Sequence, residues 1–340
     1  MARRRSPRTL AALLVFALAA SAPPRTWNDP AYFDGRHYFQ PEPLTTGFGD
    51  WIERTWSARR GPWRVFTHTP PGPPPPRCAT GGRLRVTFVN HSTFLIQMDG
   101  LNLLTDPTWA ERSAPVVGVR RHRPPGLRLG DLPPLDAVLV SHDHQDHMDL
   151  PTLERLEAAW HPAVVTGLGN APLLAHHGIV ARELDWWQSA ALAPGVTVTA
   201  VPARHMSGRG PFDRDRTLWC GFVVSGPSGS VYFAGDTGWG AHFAAIAAAF
   251  PRLRLAILPI GGFKPEWYMR EQHMGPDDAV EAHRLLGAAT SIPMHFGTFP
   301  NAADAELDPT DALRAALARS PDIAPHFVAL DNGDALEVPP

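Results

Sequence analysis

The sequence predicts a mixed α/β fold, and three observations support that class. Short apolar runs rich in β-branched residues alternate with longer stretches of helical periodicity. Of the 340 residues, 44% are hydrophobic and 19% are charged, which is typical of a chain that buries one large core. Histidines and aspartates that follow the apolar runs are spread from position 142 to position 295, so a single domain is expected to gather them.

Residues 1–22 have the pattern of a bacterial-type secretory signal. Four arginines within the first eight residues precede an apolar run over 10–20, and small residues between 17 and 22 suit a cleavage site. The run is shorter than the about 20 residues that a membrane span requires. We therefore expect an exported protein, periplasmic or extracellular. An uncleaved N-terminal anchor, which would associate the protein with a membrane, and a disordered basic tail are the alternatives.

Residues 23–83 are expected to form an extended N-terminal arm. The arm ends in a proline-rich stretch over 70–76, which predicts a stiff connector. It contains four tryptophans: Trp27, Trp51, Trp56 and Trp63. The main domain is then expected over residues 84–340.

The main domain is expected to begin with three strands, over 84–89, 93–98 and 101–105, and the last two are joined by an Asp99-Gly100 hairpin turn. Further apolar, β-branched runs predict strands over 135–140, 196–202, 231–235 and 289–294. Helical patterns cover 150–159, 241–250, 277–286 and 310–319. Strands that alternate with helices in this way predict mixed α/β architecture without fixing its topology.

Charge and cysteine usage narrow the class of protein. The formal net charge of −2 argues against a dedicated nucleic-acid binder, which usually carries a strongly basic face. The two cysteines, Cys78 and Cys220, have neither metal-like nor redox-like spacing, and no disulfide can be inferred from them.

The most informative motif is H-x-H-x-D-H over residues 142–147, directly after the strand predicted at 135–140. His142 and His144 can offer two imidazoles to one ion, while Asp146 and His147 supply an oxygen and a nitrogen to a second. Two divalent ions in such sites lie roughly 3.5–4 Å apart. The motif therefore predicts a two-metal hydrolytic site.

Each ion needs further ligands, because zinc takes at least four nitrogen, oxygen or sulfur donors. His205, Asp236 and His295 each follow an apolar strand pattern and are the candidates. For an isolated residue of this kind, a strand-capping role is the alternative. The preceding cluster favours the metal interpretation for all three.

The residues and their order resemble the metallo-β-lactamase superfamily and, within it, the family of N-acylphosphatidylethanolamine-hydrolysing phospholipases D. The Asp185-Trp186-Trp187 and Pro259-Ile260-Gly261 segments are the most specific part of this resemblance. Other matching segments are 90–93, 104–107, 233–238, 263–269 and 294–299, and the resemblance covers roughly residues 30 to 335.

The resemblance implies an αββα sandwich, in which two mixed β-sheets are flanked by helices. It also implies two Zn²⁺ ions and attack of a metal-bridging hydroxide on a phosphodiester phosphorus. The first ion would be held by His142, His144 and His205, the second by Asp146, His147 and His295, with Asp236 bridging. Manganese, iron or cobalt are alternative metals for such ligands. The catalytic residues would be Asp146, Asp236 and His273.

The resemblance identifies His273 as an additional active-site histidine, for phosphate contact or for protonation of the leaving oxygen. A capping or solvated loop histidine is the alternative. Asp106 is expected to orient a metal-bound imidazole rather than to touch metal. His91 is expected to pack near the site or to close a turn, outside the ligand set. The remaining histidines considered are assigned to the surface or to packing: His68, His122, His161, His176, His177, His242 and His283.

The implied substrate is an N-acylated phosphatidylethanolamine, cleaved to an N-acylethanolamine and phosphatidate. Arginines at 112, 120, 121, 123 and 128 can attract anionic head groups, with a merely solvated loop as the alternative. The segments Trp186-Trp187 and Trp267-Tyr268-Met269 fit apolar walls for acyl chains or a peripheral membrane contact, with core packing as the alternative. The resemblance also makes a homodimer an option. Two other functions stay open: a lactonase or other ester hydrolase, and a non-catalytic metal-binding scaffold.

Overall fold

The structure is a computed structural model that describes residues 25–57, 59–66 and 69–340. Its strands and helices alternate along the chain, as the sequence patterns predict. The predicted secretory segment and His68 lie outside the described residues. In chain order the strands are β1 (Tyr32–Phe33), β2 (Tyr38–Phe39), β3 (Leu84–Asn90), β4 (Thr93–Met98), β5 (Leu101–Thr105), β6 (Ala137–Val140), β7 (Ala163–Gly167), β8 (Ala181–Leu184), β9 (Ser189–Ala193), β10 (Val196–Val201), β11 (Gly221–Gly226), β12 (Gly229–Phe233), β13 (Leu253–Pro259), β14 (Thr290–Met294) and β15 (Ala335–Val338).

The helices are α1 (Phe48–Ser57), α2 (Leu150–Trp160), α3 (Ala171–His176), α4 (His242–Ala249), α5 (Glu266–Met269), α6 (Pro276–Leu286) and α7 (Asp308–Ala318). The four predicted helices correspond to α2, α4, α6 and α7, with ends displaced by at most two residues. Pro276 and Pro309 lie in the first turns of α6 and α7, where a missing N–H leaves no helix hydrogen bond unmade. In the described part of the chain, no helix has the length and apolar character needed to cross a bilayer.

Two sheets form the centre of the domain, and each is part antiparallel and part parallel. The first has the order β15-β3-β4-β5-β6-β7-β8 and the second the order β14-β13-β12-β11-β10-β9. Strands β5 to β8 pair in parallel, as do β12, β13 and β14. The β1–β2 hairpin forms a separate small sheet.

The sheets are covered on both faces, as their side chains require. All six residues of β4 are buried, so neither face of that strand meets water. Leu95 and Val138 belong to a cluster with residues of α2 and α3, whereas Phe88 and Ile96 belong to the main core with residues of the second sheet. Phe243 on α4 and residues of α6 and α7 extend that core on the far side. The layers are therefore helix, sheet, sheet and helix, which confirms the expected αββα sandwich.

The described part of the N-terminal arm lies against the main domain. Trp27 is buried in the main core and accepts a hydrogen bond at its carbonyl from Trp187 Nε1 at 3.0 Å. Farther along, Trp63 Nε1 donates to Asp304 O at 2.8 Å. The arm contains the β1–β2 hairpin and α1. The division of the chain at residue 83 stays a prediction.

Candidate metal centre

Within each sheet, the strands that precede the predicted metal ligands run in one direction. The motif loop follows β6, which is parallel to β5, and Asp106 follows β5. His205 follows β10 and Asp236 follows β12; these strands share a direction because both are antiparallel to β11. His295 directly follows β14, which is parallel to β13 and so to β12. The carboxyl ends of the strands thus bring all these side chains to one edge of the sandwich.

The first ligand group consists of His142, His144 and His205. His142 Nε2 lies 2.8 Å from His144 Nδ1, and His205 Nε2 lies 3.3 Å from the same atom. The ligand atoms of this group lie within 4.8 Å of one another, and His142 and His205 are buried. Three imidazole nitrogens therefore converge on one point.

The second group brings together Asp146, His147 and His295, with Asp236 between the two groups. Asp236 Oδ2 lies 3.2 Å from His147 Nε2 and 3.1 Å from His295 Nε2, and it lies 3.8 Å from His205 Nε2 of the first group. Asp236 is therefore central, as a bridging ligand would be. The structure brings all seven predicted residues together, and their role as metal ligands stays a prediction.

The donor set fits divalent transition metals. It offers only nitrogen and carboxylate oxygen atoms, which suit zinc and its neighbours. Four buried atoms at the site have no hydrogen-bond partner among the described residues: His91 Nε2, His147 Nε2, Asp236 Oδ1 and His273 Nδ1. Buried polar atoms are usually paired, so unpaired atoms at such a cluster need an explanation. A bound cation beside them supplies one.

Ionisation also suits metal binding. Burial lowers the pKa of His142 and His205 well below the ordinary value. Both rings are therefore neutral and can offer an electron pair to a metal ion. Burial opposes charge on His147 and Asp236 as well. Their mutual attraction, helped by Asp106 and His295, nevertheless raises the pKa of His147 and lowers that of Asp236. A cation that replaces the proton on His147 therefore meets an ionised Asp236.

Hydrogen bonds at Nδ1 fix the orientation of four ligand rings. His147 Nδ1 donates to Asp106 Oδ2 at 2.8 Å. Ser141 Oγ donates to the same carboxylate oxygen at 2.6 Å and lies 2.9 Å from His142 Nδ1, so it accepts from that ring. His205 and His295 direct Nδ1 to backbone carbonyls, those of Gln272 and Gly261. In each ring Nε2 is left to face the site.

Asp106 has the expected position behind the ligands, where it holds His147 directly and His142 through Ser141. The local backbone is strained, since Asp106 and His295 have φ of 32° and 61°. Gly235 has φ of 60°, and a Cβ at that position would lie 2.7 Å from Ser141 Cβ. Glycine is therefore required at 235 to let β12 approach the motif loop.

His91 lies closer to the ligands than its expected packing role requires. Its Nε2 is 3.3 Å from Asp146 Oδ2, and it belongs to one ligand-like group with Asp146, His147 and His295. Burial lowers its pKa to about 4. Asn301 Nδ2 also donates to Asp146 Oδ2, at 2.6 Å, so two side chains fix this carboxylate.

His273 lines the cavity beside the ligands, as expected for an active-site residue. Its Nδ1 lies 3.8 Å from Asp236 Oδ2. Burial lowers its pKa to about 3, which leaves the ring neutral. The cavity has a volume of about 520 Å³, and His144, Asp146, Asp236 and His295 share its lining. Distances alone also group His273 with His205 and Asp236, so a ligand role is compatible with its position.

Sequence reasoning missed the loop that braces the motif. Arg209 Nη1 donates to the carbonyls of Asp143 and Met148, at 2.8 and 2.9 Å, and so spans the motif from end to end. Gly208 N donates to Asp143 Oδ1 at 2.6 Å, and Gln145 Nε2 donates back to Arg209 O. A lone arginine in a glycine-rich loop carries no sequence signal for this role.

The tryptophans and the remaining histidines divide between core and surface. Trp186 is buried and donates to Trp219 O, so core packing holds for it rather than membrane contact. Trp267 is half exposed, and its neighbour Tyr268 lines the cavity. His242 and His283 are buried away from the ligand groups, while His161 and His176 are exposed.

Comparison with known proteins agrees with this geometry. Residues 101–296 match the family model described as a beta-lactamase superfamily domain. The N-acyl-phosphatidylethanolamine-hydrolyzing phospholipase D 1 of Caenorhabditis elegans is 35% identical over 273 residues, which cover 75% of this chain and 76% of that protein. The mitochondrial N-acyl-phosphatidylethanolamine-hydrolyzing phospholipase D of Saccharomyces cerevisiae is 30% identical over 235 residues, 67% of this chain and 50% of its own length.

Among solved structures, Igni18, a metallo hydrolase from Ignicoccus hospitalis, superposes with a TM-score of 0.57. The two share 24% sequence identity, and the match covers 75% of this chain and 97% of Igni18, so it shows the fold alone. The family model and the curated relatives go further than the fold. The chain belongs to the metallo-β-lactamase superfamily of metal-dependent hydrolases and, within it, to the family of N-acylphosphatidylethanolamine-hydrolysing phospholipase D proteins.

Proposed function

We propose that this chain is a dinuclear zinc phosphodiesterase of phospholipase D type, which hydrolyses N-acylphosphatidylethanolamine-like phospholipids to an N-acylethanolamine and a phosphatidate. One observation carries the proposal: seven histidine and aspartate side chains that could hold metal converge beside a cavity of about 520 Å³. The names of the curated relatives support the substrate class.

The residues divide between two ion positions. His142, His144 and His205 would hold the first ion, and Asp236 would contact both. The second would be held by Asp146, His147 and His295. When bound, paired divalent ions lower the pKa of water from about 15.7 to about 7 and stabilise charge on phosphoryl oxygens. Iron, manganese or cobalt could replace zinc according to supply.

The chain's own side chains position the reactants. Water adds its oxygen to phosphorus, the bond from phosphorus to the ethanolamine oxygen breaks, and that oxygen leaves with a proton. His273, at the cavity wall, donates a hydrogen bond to the phosphoryl group or passes the proton to the leaving oxygen. Asp146 is held by Asn301 and His91, and this fixes its carboxylate relative to the cavity.

The test compares substrates on the purified protein. An N-acylated phosphatidylethanolamine and a lactone with the same acyl chain are offered at equal concentration, and metal content is measured in parallel. We expect two equivalents of zinc or a similar ion, with preferential release of N-acylethanolamine. Preferential lactone turnover would instead identify an ester hydrolase of the same superfamily. Protein without bound metal or turnover would fit a non-catalytic scaffold.

A matched pair of variants compares the loss of a histidine at the cavity with the loss of a histidine outside it. His273→Gln is expected to lower kcat by about 10²-fold without loss of metal, because it removes a proton-transfer or phosphate-binding group. His177→Gln alters a histidine that is bonded to Glu154 outside the site, so it should have no effect. Equal kcat values for the two variants would contradict the role of His273.

A further inference from the structure

One arginine in the wall of the metal cavity has no counterion in the described part of the chain. Among the residues described, the wall contains two arginines, Arg54 and Arg214. Arg214 Nε lies 3.4 Å from Asp215 Oδ2, whereas none of the ion pairs between described residues includes Arg54. The Arg54 guanidinium lies 5.4 Å from the centre of the Tyr268 ring, and its buried Nε has no hydrogen-bond partner in this part of the chain. A ring contact therefore holds this side chain, and its charge stays available to a ligand.

The carboxylates of the same wall are engaged with other groups. Asp146 Oδ2 accepts a hydrogen bond from Asn301 at 2.6 Å and lies 3.3 Å from His91 Nε2. Asp236 Oδ2 lies 3.2 and 3.1 Å from two imidazole nitrogens of the predicted ligand set. A partly buried positive charge is costly without an opposite charge beside it, so an anionic ligand would stabilise Arg54.

The N-terminal arm, which supplies this arginine, is fixed to segments that carry residues of the site. Thr45 N and Thr45 Oγ1 donate to the carboxylate of Glu271, each at 2.7 Å, and Glu271 lies two residues before His273. His205 N donates to Gln40 Oε1 at 3.1 Å. Helix α1, which carries the arginine, begins three residues after Thr45. The arm therefore has a defined position beside the cavity and can contribute a side chain to it.

Arginine suits the recognition of a phosphoryl group. The guanidinium is planar and permanently charged, and it can donate two parallel hydrogen bonds to phosphate oxygens. An N-acylated phosphatidylethanolamine is an anion because of its phosphodiester, whereas a lactone is neutral. An arginine without a counterion beside the metal ligands can therefore distinguish the two substrates by charge.

We propose that Arg54 binds a phosphoryl oxygen of the substrate and makes the cavity select anionic phosphodiesters over neutral esters. The inference rests on the proposed function and deepens it, because it assigns substrate selection in the same cavity to a residue of the N-terminal arm. The phosphatidate product carries the same phosphoryl group. Its binding can therefore be measured without turnover.

The test measures binding of dihexanoyl phosphatidate to the full-length, metal-loaded protein by isothermal titration calorimetry. This short-chain form of the product dissolves without a bilayer. The variants are R54Q, which removes the charge, and R54K, which keeps the charge but lacks the planar guanidinium. The matched control is R252Q, because Arg252 is exposed and directly precedes β13, at the edge of the sandwich opposite the predicted ligands.

Wild type and R252Q should bind dihexanoyl phosphatidate equally. R54Q should bind it roughly ten- to hundredfold more weakly, because hydrogen bonds between charged groups are lost, and R54K should fall between the two. With a soluble, short-chain N-acylated phosphatidylethanolamine as substrate, R54Q should raise KM by a similar factor and change kcat less than about threefold. Zinc content and thermal midpoint should match those of wild type.

Two results would overturn the proposal. One is equal affinity of R54Q and wild type for dihexanoyl phosphatidate at equal metal content. The other is a loss of affinity that R54K does not relieve and that accompanies lost metal or a lower thermal midpoint, because Arg54 would then act through the fold.

Two further outcomes separate this inference from the proposed function. If R54Q loses affinity for phosphatidate as expected but the wild type hydrolyses only lactones, the phosphoryl contact stands and the proposed function fails. If the wild type hydrolyses the phosphodiester and R54Q keeps the same KM, the proposed function stands and the role of Arg54 fails.

Discussion

Asp106 offers the sharpest test of how the ligands are held. Its carboxylate is fully buried and accepts three hydrogen bonds, from Ser141 N at 2.7 Å, from Ser141 Oγ at 2.6 Å and from His147 Nδ1 at 2.8 Å. In Asp106→Asn one oxygen becomes an NH₂ group. If that group faces Ser141 N, two donors meet; if it faces His147, the imidazole loses its acceptor. Neither orientation keeps all three bonds.

The expected magnitude follows from these contacts. Loss of a carboxylate behind a metal-bound histidine typically costs 10-fold to 100-fold in metal affinity, equivalent to about 1.4–2.7 kcal/mol. The unpaired donor adds a folding cost of about 1–3 kcal/mol. We therefore expect Asp106→Asn to bind metal 10- to 100-fold more weakly than wild type and to unfold at a lower temperature.

Competition with a chromophoric chelator measures the affinity, and thermal unfolding measures the stability. The matched control is Asp149→Asn, because Asp149 Oδ2 is also a buried acceptor, bonded to Trp109 N, Ala110 N and Thr152 Oγ1 instead of to a ligand. It should lower stability with metal affinity unchanged. Metal affinity within twofold of wild type in Asp106→Asn would refute the argument.

Three other predictions concern metal, backbone and pH. Removal of metal by a chelator should lower the melting temperature by roughly 5–10 °C, because an ion at 100 times its Kd stabilises the fold by about 2.7 kcal/mol; an unchanged calorimetric midpoint would contradict this. Gly235→Ala should lower the free energy of unfolding, measured by urea titration, by about 1–3 kcal/mol and weaken metal binding, since alanine is strained at φ of 60° and meets Ser141. An unchanged free energy of unfolding and unchanged metal affinity would disprove the close approach. Burial lowers the pKa of His283 to about 4, so the unfolded chain takes up its proton first. Stability should therefore fall as pH drops from about 6.5 to about 4, by about 2 kcal/mol, and His283→Asn should flatten that slope in urea titrations; equal slopes would count against it.

Local patterns predicted the strands that precede the ligands and missed eight others: β1, β2, β7, β8, β9, β11, β13 and β15. The predictions over 93–98 and 101–105 coincide with β4 and β5, because alternating apolar residues and an Asp-Gly turn are both local signals. Strand β15 was not predicted. It pairs with β3, more than 240 residues earlier in the chain, and only one of its four residues is buried, so its sequence carries little strand signal. The short helices α3 and α5 were missed because few turns give little periodicity, and α1 lies in the segment that was expected to be an extended arm.

The candidate site was easier to predict than the structure that supports it. The H-x-H-x-D-H motif identifies four of the predicted ligands by residue type and spacing. The strand patterns that precede His205, Asp236 and His295 identify the other three. The supporting contacts depend on three-dimensional proximity. Asn301 reaches Asp146 across 155 residues of sequence, and His91 comes into range only because its carbonyl accepts from His295 N. Neither residue type is distinctive in a loop.

The predicted ligands follow strands of both sheets, and this affects when they become available as the protein is synthesised. His142 and His144 leave the ribosome with the first sheet, but His205 follows β10 and His295 follows β14. Strand β15, which completes the first sheet, emerges last. A nascent chain therefore carries an incomplete set of ligands while residues 148–294 are made, and metal binding by the full set must wait until His295 has been added.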